Sequence, residues 1–154
     1  LERGVQCVGR LDQDTTGLLL FSDDGQFIHT QSSGKKGIPK TYRITLSSPH
    51  TPEQIAQLLS GVKLIDEPEP IAAQSCVAVT AQVLDMAITT GKYHQVKRMI
   101  TAAGNHVAAL ERIAIGGLSS EHVGLEVGEW RWLEAIDLTK IFCKETSAEG
   151  TENV

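Results

Sequence analysis

The sequence is short of cysteine, of net positive charge, of aromatic residues and of long apolar runs. Its three cysteines, Cys7, Cys76 and Cys143, are never in C-x-x-C spacing, so they offer no zinc framework. An unpaired few of this kind suits a reducing compartment, and a cytoplasmic location is expected. No apolar run approaches the roughly 18 residues needed to cross a bilayer. The opening L-E-R-G-V-Q-C has no apolar signal core. The net charge of -5, from 14 Lys+Arg against 19 Asp+Glu, argues against coating nucleic acid through bulk charge. His94 and His106 have no acid or cysteine at ligand spacing, so no metal is expected. No Gly-rich phosphate cradle is present either.

What is there is an ordinary globular composition over 154 residues, 41% hydrophobic and 21% charged, enough for one domain with a real core. The positive charge is local. Lys35, Lys36, Lys40 and Arg43 fall in one short stretch, and Lys92, Lys97 and Arg98 in another. Either these are two solvated faces or they flank one site.

In chain order, Leu18–Phe21 is an apolar run too short for a helix and suits a buried strand. Ser22-Asp23-Asp24-Gly25 has N-cap chemistry and predicts a short helix to about Gln31. Ser32–Gly37 reads as a polar, positively charged loop. Lys40–Leu46 alternates and predicts a strand. Thr51-Pro52-Glu53-Gln54 is a capping box with Pro at the first helical position, and Gly61 stops that helix. Leu64–Pro70 is a surface loop. Ala73–Thr80 and Val83–Thr89 predict an antiparallel pair. His94–Ala103 has helical spacing, Val107–Ile115 is a strand, and Gly116-Gly117 turns it. Gly128–Leu133 predicts a final strand before a helix from Glu134 to Phe142, and 144–154 is expected to be a disordered tail. Residues 1–143 thus form one mixed α/β (α+β) domain with a largely antiparallel sheet.

The stretch with chemical promise is Val8–Asp24, V-G-R-L-D-Q-D-T-T-G-L-L-L-F-S-D-D. It places Asp12 on a loop in front of an apolar strand, a common way to hold a reactive side chain still. Asp12 and Asp14 could simply cap turn backbone. Asp12-Gln-Asp14-Thr15-Thr16 also satisfies the D-x-D-x-T pattern of Mg²⁺-dependent aspartyl phosphatases. That family, however, sets its motif at the end of a long apolar strand, and here Q-C-V-G-R-L precedes it.

The run G-R-L-D-Q-D-T-T-G-L-L-L-F-S-D-D-G resembles a signature of the bacterial ribosomal RNA pseudouridine synthases, in their RsuA-like branch. Three further blocks match in order: Pro39-Lys40-Thr41-Tyr42, then Gly91-Lys92-Tyr93-His94-Gln95-Val96-Lys97-Arg98-Met99, then Leu110-Glu111-Arg112-Ile113-Ala114-Ile115-Gly116. The closing G-E-W-R also suits the family, and the resemblance covers roughly residues 4 to 137. It implies isomerisation of a uridine in ribosomal RNA, with the pseudouridine-synthase catalytic fold and no cofactor. Asp12 would be the essential nucleophile or base, Lys97 its counter-charge, with Arg98 the lesser candidate, and Tyr42 would stack on the target base. Leu110 would pack on the base's other side. Arg10, Lys40 and Lys92, together with Lys35 and Lys36, would meet RNA phosphate. Thr15, Thr16 and Gly17 would order the turn, to which Asp14 also belongs. The partner implied is ribosomal RNA or a ribosomal-subunit precursor, and K-Y-H-Q-V-K-R-M tilts toward the small subunit.

The branch also carries an RNA-binding S4 domain and an asparagine-lysine-proline strand upstream of the catalytic aspartate, and neither is found here. The chain is therefore expected to be a piece of a longer protein, weak for RNA and not fully active alone. A catalytically silent RNA-binding or assembly module of the same fold is the second functional class. The target uridine and the oligomeric state are left open.

Overall fold

The structure, a computed structural model, describes residues 4–32 and 37–142. Lys35 and Lys36 of the expected loop, Cys143, and the expected tail 144–154 lie outside the described residues. The first strands are short: β1 (Gln6–Val8), β2 (Thr16–Gly17) and β3 (Leu20–Ser22). After α1 (Gly25–Ser32) comes β4 (Lys40–Leu46), then α2 (Pro52–Ser60), β5 (Ser75–Thr80) and β6 (Val83–Ile88). Next are α3 (Gln95–Ala102), β7 (Val107–Ile115), β8 (Leu118–Ser119), α4 (Ser120–Val123) and α5 (Ala135–Ile141).

A six-stranded sheet runs in the order β2-β7-β4-β6-β5, with β8 also against β7, and β1 pairs β3 in a separate ribbon. Only β2–β7 is parallel; the other named pairs are antiparallel. The alternation of β4 puts Tyr42, Ile44 and Leu46 on one face, where Ile44 and Leu46 are buried. On that face α3 lays down Val96, Met99 and Ile100, an i, i+3, i+4 stripe, and α2 lays down Leu58. Burying each such side chain contributes roughly 1.5–3 kcal/mol. The stripe leaves Lys97 and Arg98 on the outward side of α3. A second cluster, including Val8, Leu20, Ile38, Ile115, Leu118 and Ile141, packs α1 and α5 against the other end.

The capping box of α2 forms as expected. The Gln54 amide donates to Thr51 Oγ1 at 3.2 Å, and the Thr51 amide donates to Gln54 Oε1 at 3.2 Å. Two expectations need correction. The Leu18–Phe21 run is not one strand. Gly17 at φ +111° turns the chain, so Thr16–Gly17 joins the large sheet while Leu20–Ser22 joins β1. Gly128–Leu133 is not a strand either, because no strand among the described residues pairs with it. Its Arg131 instead turns back, donating to the Val123 carbonyl at 3.2 Å and to Asp137 Oδ2 at 3.0 Å.

Candidate active site

The Asp12 loop hangs between β1 and β2. The Thr15 amide donates to the Asp12 carbonyl at 2.9 Å and closes a tight turn. Behind the turn, Gly17 lies so close to β7 that a Cβ there would fall on the Arg112 carbonyl. Glycine is required by contact as well as by φ. The Leu18 amide donates to the Arg112 carbonyl at 3.0 Å, and Arg112 Nε donates to the Leu18 carbonyl at 2.9 Å. These bonds fasten the loop to the sheet.

The start of α3 faces this loop. Lys97 Nζ stands 3.5 Å from Asp12 Oδ2 and 2.6 Å from Asp14 Oδ1. His94 Nε2 is 3.7 Å from Asp12 Oδ1. One ammonium thus bridges both aspartates of the D-x-D pair, and the shorter contact goes to Asp14. The Lys97 hydrogen bond holds the Asp14 carboxyl below its usual value, and Asp14 in turn raises the Lys97 ammonium, with a smaller contribution from Asp12. Lys97 therefore stays charged beside Asp12 across the physiological range.

His94 is held in place by its neighbours. It has φ 46° and ψ 38°, the left-handed region, at the residue before α3. Gln95, 3% exposed, accepts from Thr90 Oγ1 at 2.8 Å and from the Lys92 amide at 3.0 Å. That clamps the 90–95 turn from inside. The Tyr93 ring stacks on the His94 ring at 3.9 Å.

The outward side of α3 and the segment Lys63–Ile65 enclose a cleft of about 400 Å³, and His94, Lys97 and Arg98 line it. His94 and Lys97 join this cleft to Asp12.

The other sequence-derived residues are placed as follows. Tyr42 is half-buried and packs against the same core cluster as Leu110, which is 7% exposed, on the face that carries α3. Lys92 Nζ pairs with Glu67 at 3.1 Å, and Arg98 lies 3.8 Å from Asp66 while donating to the Tyr93 carbonyl at 3.2 Å. Arg10 is exposed. Lys40 turns inward. Its Nζ donates to the Gln31 carbonyl at 3.3 Å, and burial, with nearby Arg112, lowers its pKa. Sequence reasoning missed the roles of His94 and of Asp14 as the tighter partner of Lys97. A charged residue central in L-E-R-I-A-I was the available signal for Arg112 as an anchor.

A half-exposed carboxylate, carried by a mixed sheet, thus stands beside two residues that line a cleft. Residues 1–102 match the family model described as RNA pseudouridylate synthase, and the chain belongs to that family. It is 39% identical over 137 residues to the ribosomal small subunit pseudouridine synthase A of Escherichia coli K12, covering 89% of this chain and 59% of that protein. The Vibrio cholerae protein of the same name is 44% identical over 135 residues, 87% of this chain and 58% of that one. A crystal structure of a pseudouridylate synthase superposes with a TM-score of 0.84 at 39% identity, covering 90% of this chain and 60% of that one. The chain thus spans about three-fifths of the length of these relatives. Family and fold are those the sequence motifs implied, and the aspartyl-phosphatase pattern is set aside.

Proposed function

We propose that this chain carries the catalytic centre for converting a uridine of small-subunit ribosomal RNA to pseudouridine. The observation that carries the reading is the convergence of Lys97 and His94 on Asp12 within a chain of this family. The reaction breaks the bond from ribose C1′ to N1 and forms one from C1′ to C5; C5 gives up a proton and N1 gains one. Atoms balance without any co-reactant, so the chemistry needs a positioned carboxylate rather than a redox or group carrier.

In this reading Asp12 is the nucleophile or base, and Lys97 sets a positive charge beside it as the uridine enters. The target leaves the RNA stack, and Tyr42 and Leu110 offer it a new apolar and aromatic surface. Arg10, Lys92 and Arg98 are the cations this reading offers to the RNA phosphates. Lys40, turned toward Gln31, serves better to support the wall than to meet RNA.

The test is pseudouridine formation in unmodified small-subunit RNA by the full chain and by Asp12→Asn. Product from the first and none from the second supports the reading. Equal product from both refutes the role of Asp12. RNA binding with no product from either would make the chain the silent binding module.

A further inference from the structure

Tyr93 is a large aromatic residue left 76% exposed, yet its ring is held flat against His94 at an interplanar angle of 20°. It does not serve the core, which α3 fills with Val96, Met99 and Ile100. Its backbone is pinned instead: Arg98 Nη1 donates to its carbonyl at 3.2 Å, and the next residue sits in the left-handed region. A non-glycine residue held there at a functional loop is the kind of local strain that a site retains for a purpose. One imidazole separates this ring from Asp12, since His94 Nε2 lies 3.7 Å from the carboxylate. Cationic residues flank it in sequence, Lys92 before it and Lys97 and Arg98 after it, and Arg98 reaches its carbonyl.

We infer that Tyr93 is a stacking platform for a nucleobase adjacent to the target uridine in the RNA strand. This rests on the proposed uridine reading for the position of the target, and it adds a second aromatic contact separate from Tyr42. Extruding a nucleotide leaves its neighbour without a stacking partner, and an exposed aromatic face replaces the lost contact for any base. Arg98 can exchange its exposed partner Asp66, and Lys92 its half-buried partner Glu67, for the flanking phosphates. His94 backs the tyrosine on one side and reaches Asp12 on the other, so the platform and the reacting carboxylate are held in register. Selectivity here would concern a planar base rather than a particular sequence.

The experiment uses the full chain in an Asp12→Asn background, so that bound RNA is not turned over. The probes are two uridine-containing RNA hairpins, one with 2-aminopurine on the 5′ side of the uridine and one on the 3′ side. Stacking on Tyr93 should quench one probe on binding. Tyr93→Phe should keep the quench, whereas Tyr93→Ala should abolish it and weaken binding roughly 5- to 150-fold. An unchanged quench in Tyr93→Ala overturns the proposal, as does no quench of either probe by the unsubstituted tyrosine. Pseudouridine formation by the chain with Asp12 intact is measured separately. Tyrosine-dependent quenching without isomerisation would fault the catalytic reading alone, and isomerisation without such quenching would fault this one alone.

Discussion

Two carboxylates in this molecule sit among basic side chains, and they have opposite lives. Asp137 is 1% exposed and fully engaged: Arg131 Nη1 donates to it at 3.0 Å, the Glu134 amide at 2.7 Å, and His122 Nε2 lies at 2.9 Å. Asp12 is 30% exposed, and its two basic neighbours, Lys97 and His94, stand off at 3.5 and 3.7 Å. Charge-assisted hydrogen bonds close to about 2.7–2.9 Å, so the Asp12 oxygens keep capacity that Asp137 has used up. A saturated carboxylate joins α4 to α5. An under-coordinated one, steadied by a lysine whose short bond goes elsewhere, is available to a substrate.

The sharpest way to break this contrast is to neutralise each carboxylate in turn. Asp12→Asn should lower pseudouridine formation by about 10⁴-fold or more, in the range seen when a covalent or basic catalytic group is lost. Its melting temperature should be unchanged. Asp137→Asn should do the reverse, costing several degrees in melting temperature while the purified folded protein keeps its turnover rate. If Asp12→Asn melts early, or Asp137→Asn is folded but inactive, the division between the two is wrong.

The pH dependence sharpens it further. Arg131, the Glu134 amide and His122 hold the Asp137 carboxyl well below the usual carboxylate range. A folded pKa below the unfolded value of about 3.9 stabilises the protein fully above that pH, and the contribution is lost as pH falls toward the depressed value. The gap in melting temperature between the parent chain and Asp137→Asn should therefore be widest near neutrality and should shrink below about pH 4. A gap that stays constant across that window would assign the stabilisation to packing instead.

Gly17→Ala tests whether the Asp12 loop depends on its anchor. Backbone strain alone should destabilise by about 1–3 kcal/mol, and the displaced Arg112 contact should reduce activity more than stability. Denaturant melts beside turnover measurements will show the split. The smallest effect belongs to Arg43 and Asp85, paired at 2.8 Å but with the arginine side chain 47% exposed. Arg43→Ala should cost roughly 0.2–1 kcal/mol, and less at high salt. A larger loss would mean that surface pairs rival the buried network.

The sequence showed its regular elements where local chemistry and burial agree. Thr51–Gln54 announces α2 by a reciprocal cap, and the Val96, Met99, Ile100 spacing announces the buried face of α3. It hid the elements whose partners are remote. The two residues of β2 carry no periodicity, and their pairing with β7 rests on a glycine fitting against a distant carbonyl. The aromatic Gly128–Leu133 segment has strand composition but pairs with no strand among the described residues, and its arginine is claimed by Asp137. At the site, the four sequence blocks brought Asp12 and Lys97 together. They could not show that Lys97 would lean to Asp14 or that His94 would leave the helix, because both follow from a backbone turn with no local signature.

The fastening of the Asp12 loop to β7 has a consequence in time. Arg112 and Leu18 lie 94 residues apart along the chain, so their bond closes one of the longest loops in the protein. Contacts of such separation form slowly relative to helices and hairpins. A growing or refolding chain can therefore build α2, α3 and the β5–β6 hairpin while Asp12 is still unplaced. Stopped-flow refolding should show helical signal returning before RNA-binding competence, and simultaneous recovery would argue against this order. Until β7 arrives, the Asp12 loop has nothing to hold it in place.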